Sequence, residues 1–303
     1  LVERHREGGF NLEEVLHVAR TPTPQNYLGT LGARGTDSEV ATARQAGAIF
    51  TGAGGDQLFF EFRTTWPAAD YLRCRGFDRG FPAAVLDSAH LGRVSFWQSL
   101  RDAFVGRSFQ GRPADDAGKF LTLMPDEVID VAVRNAPRFV HPGWLAANDL
   151  PVGKFHQVGA LVCPYDYYTV LQPETSPERV NALYSQPLLE LCLSTPTYTL
   201  TKGGQGRALA RRAFASSLPP EIATRRSKGG IEQHVTAVLR DNLPFARELL
   251  LDGHLAREGL LERRRVEAAL SGSPSTSAYV SEIHTCIAME AWAQRVAGRT
   301  LGT

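Results

Sequence analysis

Three segments of this chain carry residue types that handle phosphate and acyl chemistry. The first is Thr51-Gly-Ala-Gly-Gly-Asp-Gln-Leu-Phe59. A strand that ends in glycines and then opens a helix presents unpaired backbone N–H groups at one point. Glycine also removes the Cβ that would hold a ligand away from the backbone, which makes Gly52, Gly54 and Gly55 candidate phosphate contacts. Asp56 in such a turn suits Mg²⁺, a hard cation that takes one or two carboxylates together with phosphate oxygens. It equally suits a plain helix cap. The second segment is basic. Lys202-Gly-Gly-Gln-Gly-Arg207 leads into a helix with Arg207 and Arg211 at i and i+4, hence on one face. Arg225, Arg226 and Lys228 follow Leu218-Pro-Pro-Glu-Ile222, just before Gly229 and Gly230. Guanidinium forks and a lysine in a glycine-flanked loop suit polyphosphate, and the competing reading is a solvated basic face. The third segment, Pro177 to Leu191, holds Glu178 and Glu190, which are either acid/base groups or surface charges.

The remaining candidates are weaker. Eight histidines are scattered without metal-ligand spacing and read as structural. Gly35-Thr-Asp-Ser38 looks faintly like a nucleotide loop but follows no strand.

Stepping outward, the elements that must position these residues are mostly helical. Ala48-Ile-Phe-Thr51 is the one clear strand, fed by a helix over Ser38 to Gly47. Apolar spacing predicts helices over Gln57 to Arg73, kinked or broken at Pro67, and over Val85 to Phe109. A short helix is expected over Asp126 to Val133, and irregular or loosely helical chain from His141 to Ser176. Further helices are expected over Pro187 to Leu193, Gly206 to Leu218, Ile231 to Leu261 with a break near Pro244, and Ser277 to Val296. The pattern is one short parallel sheet near the N-terminus, covered and followed by many helices.

Composition sets the outer bounds. The chain has 303 residues, 43% of them hydrophobic, and 33 Lys+Arg against 32 Asp+Glu. That near balance argues against a disordered chain and against a basic nucleic-acid platform. No apolar run is long enough for a membrane span. Four separated cysteines, Cys74, Cys163, Cys192 and Cys286, read as buried free thiols in a reducing, cytoplasmic compartment.

Taken in order, the three segments resemble the synthetase domain of the asparagine synthetase family. There a strand ends in Ser/Thr-Gly-x-Gly-Gly-Asp-Glu-Leu-Phe, matched by Thr51 to Phe59 with Gln57 in place of Glu. A Pro-Phe-Leu-Asp-type segment, a basic helix, a Leu-Pro and an Arg-x-Lys loop follow. They are matched by Leu183 to Leu193, Arg207 to Arg211, Leu218-Pro219 and Arg226-Ser-Lys228. Ser185 to Tyr198, Arg225 to Gly230, His141-Pro-Gly-Trp144 and Trp66 to Gly76 are similar to the lasso peptide macrocyclases of that family.

The resemblance implies an α/β fold: a partial adenine-nucleotide-hydrolase-like (ATP pyrophosphatase) parallel sheet with a large, mainly helical remainder. It implies ATP and Mg²⁺ as cofactors and adenylation of an Asp or Glu side chain of a precursor peptide, whose own N-terminal amine then displaces AMP. A leader peptidase and a leader-binding protein are the further partners it suggests. A small carboxylate substrate, as in asparagine or β-lactam synthetases, and a non-catalytic scaffold are the alternatives. Within that frame Asp56 holds Mg²⁺ and the glycine turn binds phosphate, with Arg207 and Arg211 as further nucleotide contacts. Lys228 stabilises developing phosphate charge. Glu178, offset by a neighbouring Arg from the relatives' Glu, orients or deprotonates the amine, with Tyr184 and Glu190 as the next candidates. Two departures stand out: Ala53 replaces the relatives' Glu or Tyr, and their upstream Ser-Gly-Gly-x-Asp-Ser loop has no match. With Leu1 in place of Met, the expectation is one synthetase-like unit over 1–303. It is expected to be N-terminally truncated, the native chain continuing upstream with a strand, a Gly-rich nucleotide loop and a second Asp. As given it lacks that loop and any glutaminase domain and should bind ATP weakly or not at all by itself.

Overall fold

The strand expected at Ala48 forms as β1 (Ala48–Phe50), and its partner comes from far along the chain. β2 (Glu178–Val180) lies parallel to it, with Ala48 opposite Glu178, Ile49 opposite Arg179 and Phe50 opposite Val180. Thr51 N extends the ladder by donating to Val180 O at 3.0 Å. These coordinates are a computed structural model describing residues 11–17, 24, 39–110, 121–138, 140–162, 177–225, 232–272 and 277–298. Among them β1 and β2 form the one sheet, so the chain is mostly helical with a small parallel α/β element. The feeding helix is present at residues 39–43. The Gly35 to Ser38 candidate lies outside the described residues.

After β1 the chain turns through Gly52–Gly54 into α1 (Gly55–Leu58), a single helical turn. The expected long helix from Gln57 stops there. Pro67 does not kink a helix; it sits in the first turn of α2 (Trp66–Arg75), where its fixed φ and missing N–H are harmless. The stretch expected as one helix from Val85 is two, α3 (Phe81–Gly92) and α4 (Phe96–Gly106). Arg93 ends α3 in the left-handed region, and Ser95 Oγ caps α4 by accepting from Gln98 N. Helices α2–α4 close on a small core of Ala68, Leu72, Phe81, Val85 and Ala103.

Asp126 begins α5 (Asp126–Asn135) as expected. The region from His141 is more regular than its glycines and prolines suggest. It forms α6 (Pro142–Leu145) and α7 (Val152–Leu161), a helix buried on nearly every side. Then come α8 (Gln186–Ser194), α9 (Thr197–Leu200), α10 (Ala208–Ala213) and α11 (Pro220–Ala223). The C-terminal helices are α12 (Glu232–Asp241), α13 (Leu243–Leu251), α14 (His254–Arg257), α15 (Arg263–Ser271) and α16 (Ser277–Ala297).

Those last helices make the larger core. Leu250, Val266, Ile283 and Ile287 are fully or almost fully buried in it, each contributing about 1.5–3 kcal/mol by leaving water. Leu12, Val15, Leu123 and Met124 join them, so early segments of the chain pack on its end. Two buried carboxylates stitch this core. Glu290 accepts from His254 N and Leu255 N, both at 2.7 Å, and so caps α14. Glu282 accepts from Leu123 N at 2.8 Å and Thr122 Oγ1 at 2.6 Å. Cys192 and Cys286 are buried free thiols, whereas Cys74 is exposed, contrary to expectation, because it falls on the outer side of α2. Among the described residues no helix is long and apolar enough to cross a membrane.

Candidate functional site

The glycine turn is built from both strands. Thr51 Oγ1 donates to Asn181 Oδ1, at the end of β2, and accepts from Ala53 N at 3.2 Å. Gly55 N closes the turn on Gly52 O at 3.3 Å, while the N–H groups of Gly52 and Gly54 have no partner among the described residues. Gly54 has φ +85°, and the Tyr184 ring lies where its Cβ would be. Leu183 similarly crowds Gly55. Glycine is therefore required at 54 both by backbone conformation and by close packing.

Asp56 leaves this turn half-exposed, and Arg207 meets it: Nη1 lies 3.5 Å from Asp56 Oδ1. Glu61, just beyond α1, accepts from Arg207 Nε at 2.8 Å. Gly206 packs against the Glu61 carboxyl, with no space for a Cβ between them. Arg207 does not lie within the helix, as its spacing from Arg211 suggests. It precedes α10 with φ 57°, a left-handed conformation that directs the chain toward Asp56. Phe60, immediately after α1, also has positive φ, 63°, with its ring fully buried. Such conformations cost on the order of 1 kcal/mol each in non-glycine residues and persist where surrounding packing fixes them.

Arg211 sits behind Arg207. Its Nη1 donates to Ile222 O, and its buried Nε has no hydrogen-bond partner among the described residues. Burial, then the neighbouring Arg207 and Arg225 cations, lower its pKa, with Glu61 opposing. The site thus gathers more guanidinium charge than its carboxylates balance, an arrangement that an anion would relieve.

Glu178 is not brought here. It is exposed and pairs with Ala48, at the far end of the strands from the glycine turn. With side chains alternating along a strand, an offset of one residue also reverses the face that they occupy. Tyr184, by contrast, lies on Gly54. Glu190 is exposed on α8 and accepts from Gln186 Nε2 at 2.7 Å. Lys228 and Arg226 lie outside the described residues. No group of three or more His, Cys, Asp or Glu able to hold a metal occurs among the described residues. Asp56 can therefore supply a single carboxylate ligand, which fits a cation held mainly by phosphate oxygens and water. Sequence reading missed Glu61 and Asn181, whose roles depend on partners 146 and 130 positions away.

The segment that supplies Arg207 has a likeness to a known family. Residues 182–294 match the asparagine synthase family model. No curated protein matches the chain, and no solved structure does. The asparagine synthase segment begins at Ala182, so the glycine turn and β1 fall outside it. They are nevertheless folded onto its first residues, Leu183 and Tyr184, and onto Arg207.

Proposed function

We propose that this chain is an ATP-dependent, AMP-forming ligase of the asparagine synthetase kind that acts on a peptide, closing a lasso-type macrocycle. The observation that carries the reading is the Asp56–Arg207 contact. It brings the carboxylate of a strand–glycine–Asp turn against a guanidinium at the start of a basic helix of the matched segment, a pairing suited to holding a metal-bound polyphosphate between them. Peptide specificity is supported by the residues similar to macrocyclases: Ser185 to Tyr198 runs through α8 and α9 beside the turn, and Trp66 to Gly76 forms α2. Arg73 ties α2 to the approach of α7 through the carbonyls of Phe109, Asp149 and Leu150.

ATP supplies the activation: a substrate carboxylate oxygen attacks the α-phosphorus and pyrophosphate leaves. The peptide amine then attacks the carbonyl carbon, AMP departs and the amine proton is lost. The residues of this chain bind and orient. Asp56 would offer one carboxylate oxygen to Mg²⁺, which would neutralise phosphate charge, and the Gly52 and Gly54 N–H groups would donate to phosphate. Arg207, gripped by Glu61 through Nε, keeps Nη1 aimed at Asp56 and can transfer it to phosphate oxygens. Arg211 adds charge behind it. Lys228 keeps its role on the developing phosphate charge from the family resemblance. Stabilising such charge is usually the largest single contribution to catalysis in reactions of this class.

The native gene product incubated with Mg·ATP and its precursor peptide should yield AMP and pyrophosphate together with a peptide lighter by one water. ADP as product, or amidation of a small carboxylate with no effect on the peptide, would reject the macrocyclase reading.

A further inference from the structure

α1 is one turn long, and an isolated helical turn does not hold itself, because nucleation fixes several residues for a single hydrogen bond. Its last carbonyls are also the groups a helix C-terminus leaves unpaired. Both are met from below by one side chain. Gln157 of α7, fully buried, donates from Nε2 to Leu58 O at 2.8 Å and reaches Gln57 O at 3.4 Å. Its amide could face either way, since oxygen and nitrogen are similar in shape. Lys154 settles the choice: its Nζ donates to Gln157 Oε1 at 2.7 Å, and an ammonium, having no acceptor, can bind only the oxygen side. The same Nζ donates to Cys192 O at 2.8 Å, on α8 of the matched segment. Asp70 of α2 supplies the nearby opposite charge; it accepts from Gly153 N at 2.8 Å and Thr197 Oγ1 at 2.6 Å.

We infer that Lys154 and Gln157 are positioning residues that fix the Asp56 turn on α7 and α8. The catalytic part of this inference rests on the ligase reading of Asp56; the mechanical part does not. A buried lysine is expensive to keep, and an apolar side chain of similar length would fill the space at less cost. What the lysine adds is a defined amide orientation, and through it a defined height and angle for the helical turn that carries Asp56. Asp56 O in turn accepts from Glu61 N at 2.7 Å, so the same support extends to the carboxylate that grips Arg207.

The discriminating variant is Gln157→Glu. It keeps length and volume, and the adjacent ammonium keeps the new carboxylate ionised, so the Lys154 contact survives. The donor to Leu58 O and Gln57 O is lost, and a carboxylate oxygen is set against both carbonyls. Hydrogen exchange of amides 55–61 should accelerate by about tenfold or more, the equivalent of one buried hydrogen bond, while amides of α12–α16 keep wild-type rates. In Mg·ATP–pyrophosphate exchange by the native gene product, kcat should fall by about tenfold with KM for ATP little changed, because alignment rather than binding is lost. Lys154→Met should loosen the same amides, and Lys154→Arg, which keeps a cationic donor, should restore much of their protection. Wild-type protection of 55–61 in Gln157→Glu overturns the inference, and so does uniform acceleration over the whole chain. Asp56→Asn is the separate control. If it exchanges pyrophosphate normally, the ligase reading of Asp56 fails, while hydrogen exchange still decides the positioning role.

Discussion

Asp56 and Arg207 are each about one-third exposed, so their 3.5 Å pair contributes less than about 1 kcal/mol and can yield to a phosphate. Arg207 has Glu61 as its firmer partner, at 2.8 Å through Nε. The glycine before them is less forgiving. Gly54→Ala forces a positive φ on a side chain and drives its Cβ into the Tyr184 ring, so thermal or urea unfolding should show a loss of about 2–4 kcal/mol. Glu178→Gln should leave AMP release and product formation within twofold of wild type, since the carboxylate is exposed at the opposite end of the strands. Equal AMP release with a sharp fall in cyclised product would restore Glu178 as the proton acceptor. Residue type and local spacing mark Gly54, Asp56 and Arg207 in the sequence, and the structure places them together. Glu61, Asn181 and the Lys154–Gln157 pair were not legible there, because their meaning lies in contacts made by distant parts of the chain. The position of Glu178 was not legible for a related reason: register sets it, and three strand residues carry too little pattern to reveal it.

At the level of elements, long periodic segments and the break near Pro244 were legible, and the break after Gly92 was not. α13 and α16 stand where apolar spacing places them. The break between α3 and α4 was missed although its signals are local, Gly92-Arg93 to stop one helix and Ser95 to cap the next. Ser95→Ala should lower stability by about 1 kcal/mol through the lost bond to Gln98 N, measurable by thermal unfolding, with no effect on the site. α7 was hidden more deeply. Its Gly153 and Gly159 argue against a helix, yet both are required by packing, against Asp70 and Trp144 respectively. Tertiary contact overrides intrinsic propensity there.

The whole molecule keeps its large C-terminal core apart from the chemistry, and that core has its own pH dependence. His284 is buried in α16, where desolvation above all, and then the charge of His234, push its pKa down to about 4 against a Val235 hydrogen bond that opposes the shift. Between pH 6.5 and 4 the unfolded chain therefore takes up a proton that the folded chain refuses, and stability falls as pH drops through that window. The loss from this one group is about 3 kcal/mol, and His284→Leu should flatten it in urea titrations across the same range. Unchanged pH dependence in the variant would place the sensitivity elsewhere. The glycine turn and Asp56 meet residues of the matched segment that begins at Ala182, namely Leu183, Tyr184 and Arg207, and the proposed function stands on those contacts. Its most direct test is Mg·ATP–pyrophosphate exchange by the native gene product with its precursor peptide, comparing wild type with Asp56→Asn at matched thermal stability. The account predicts peptide-dependent exchange in the wild type and a loss on the order of 10²-fold or more in kcat in the variant. Exchange at the wild-type rate by Asp56→Asn would contradict it.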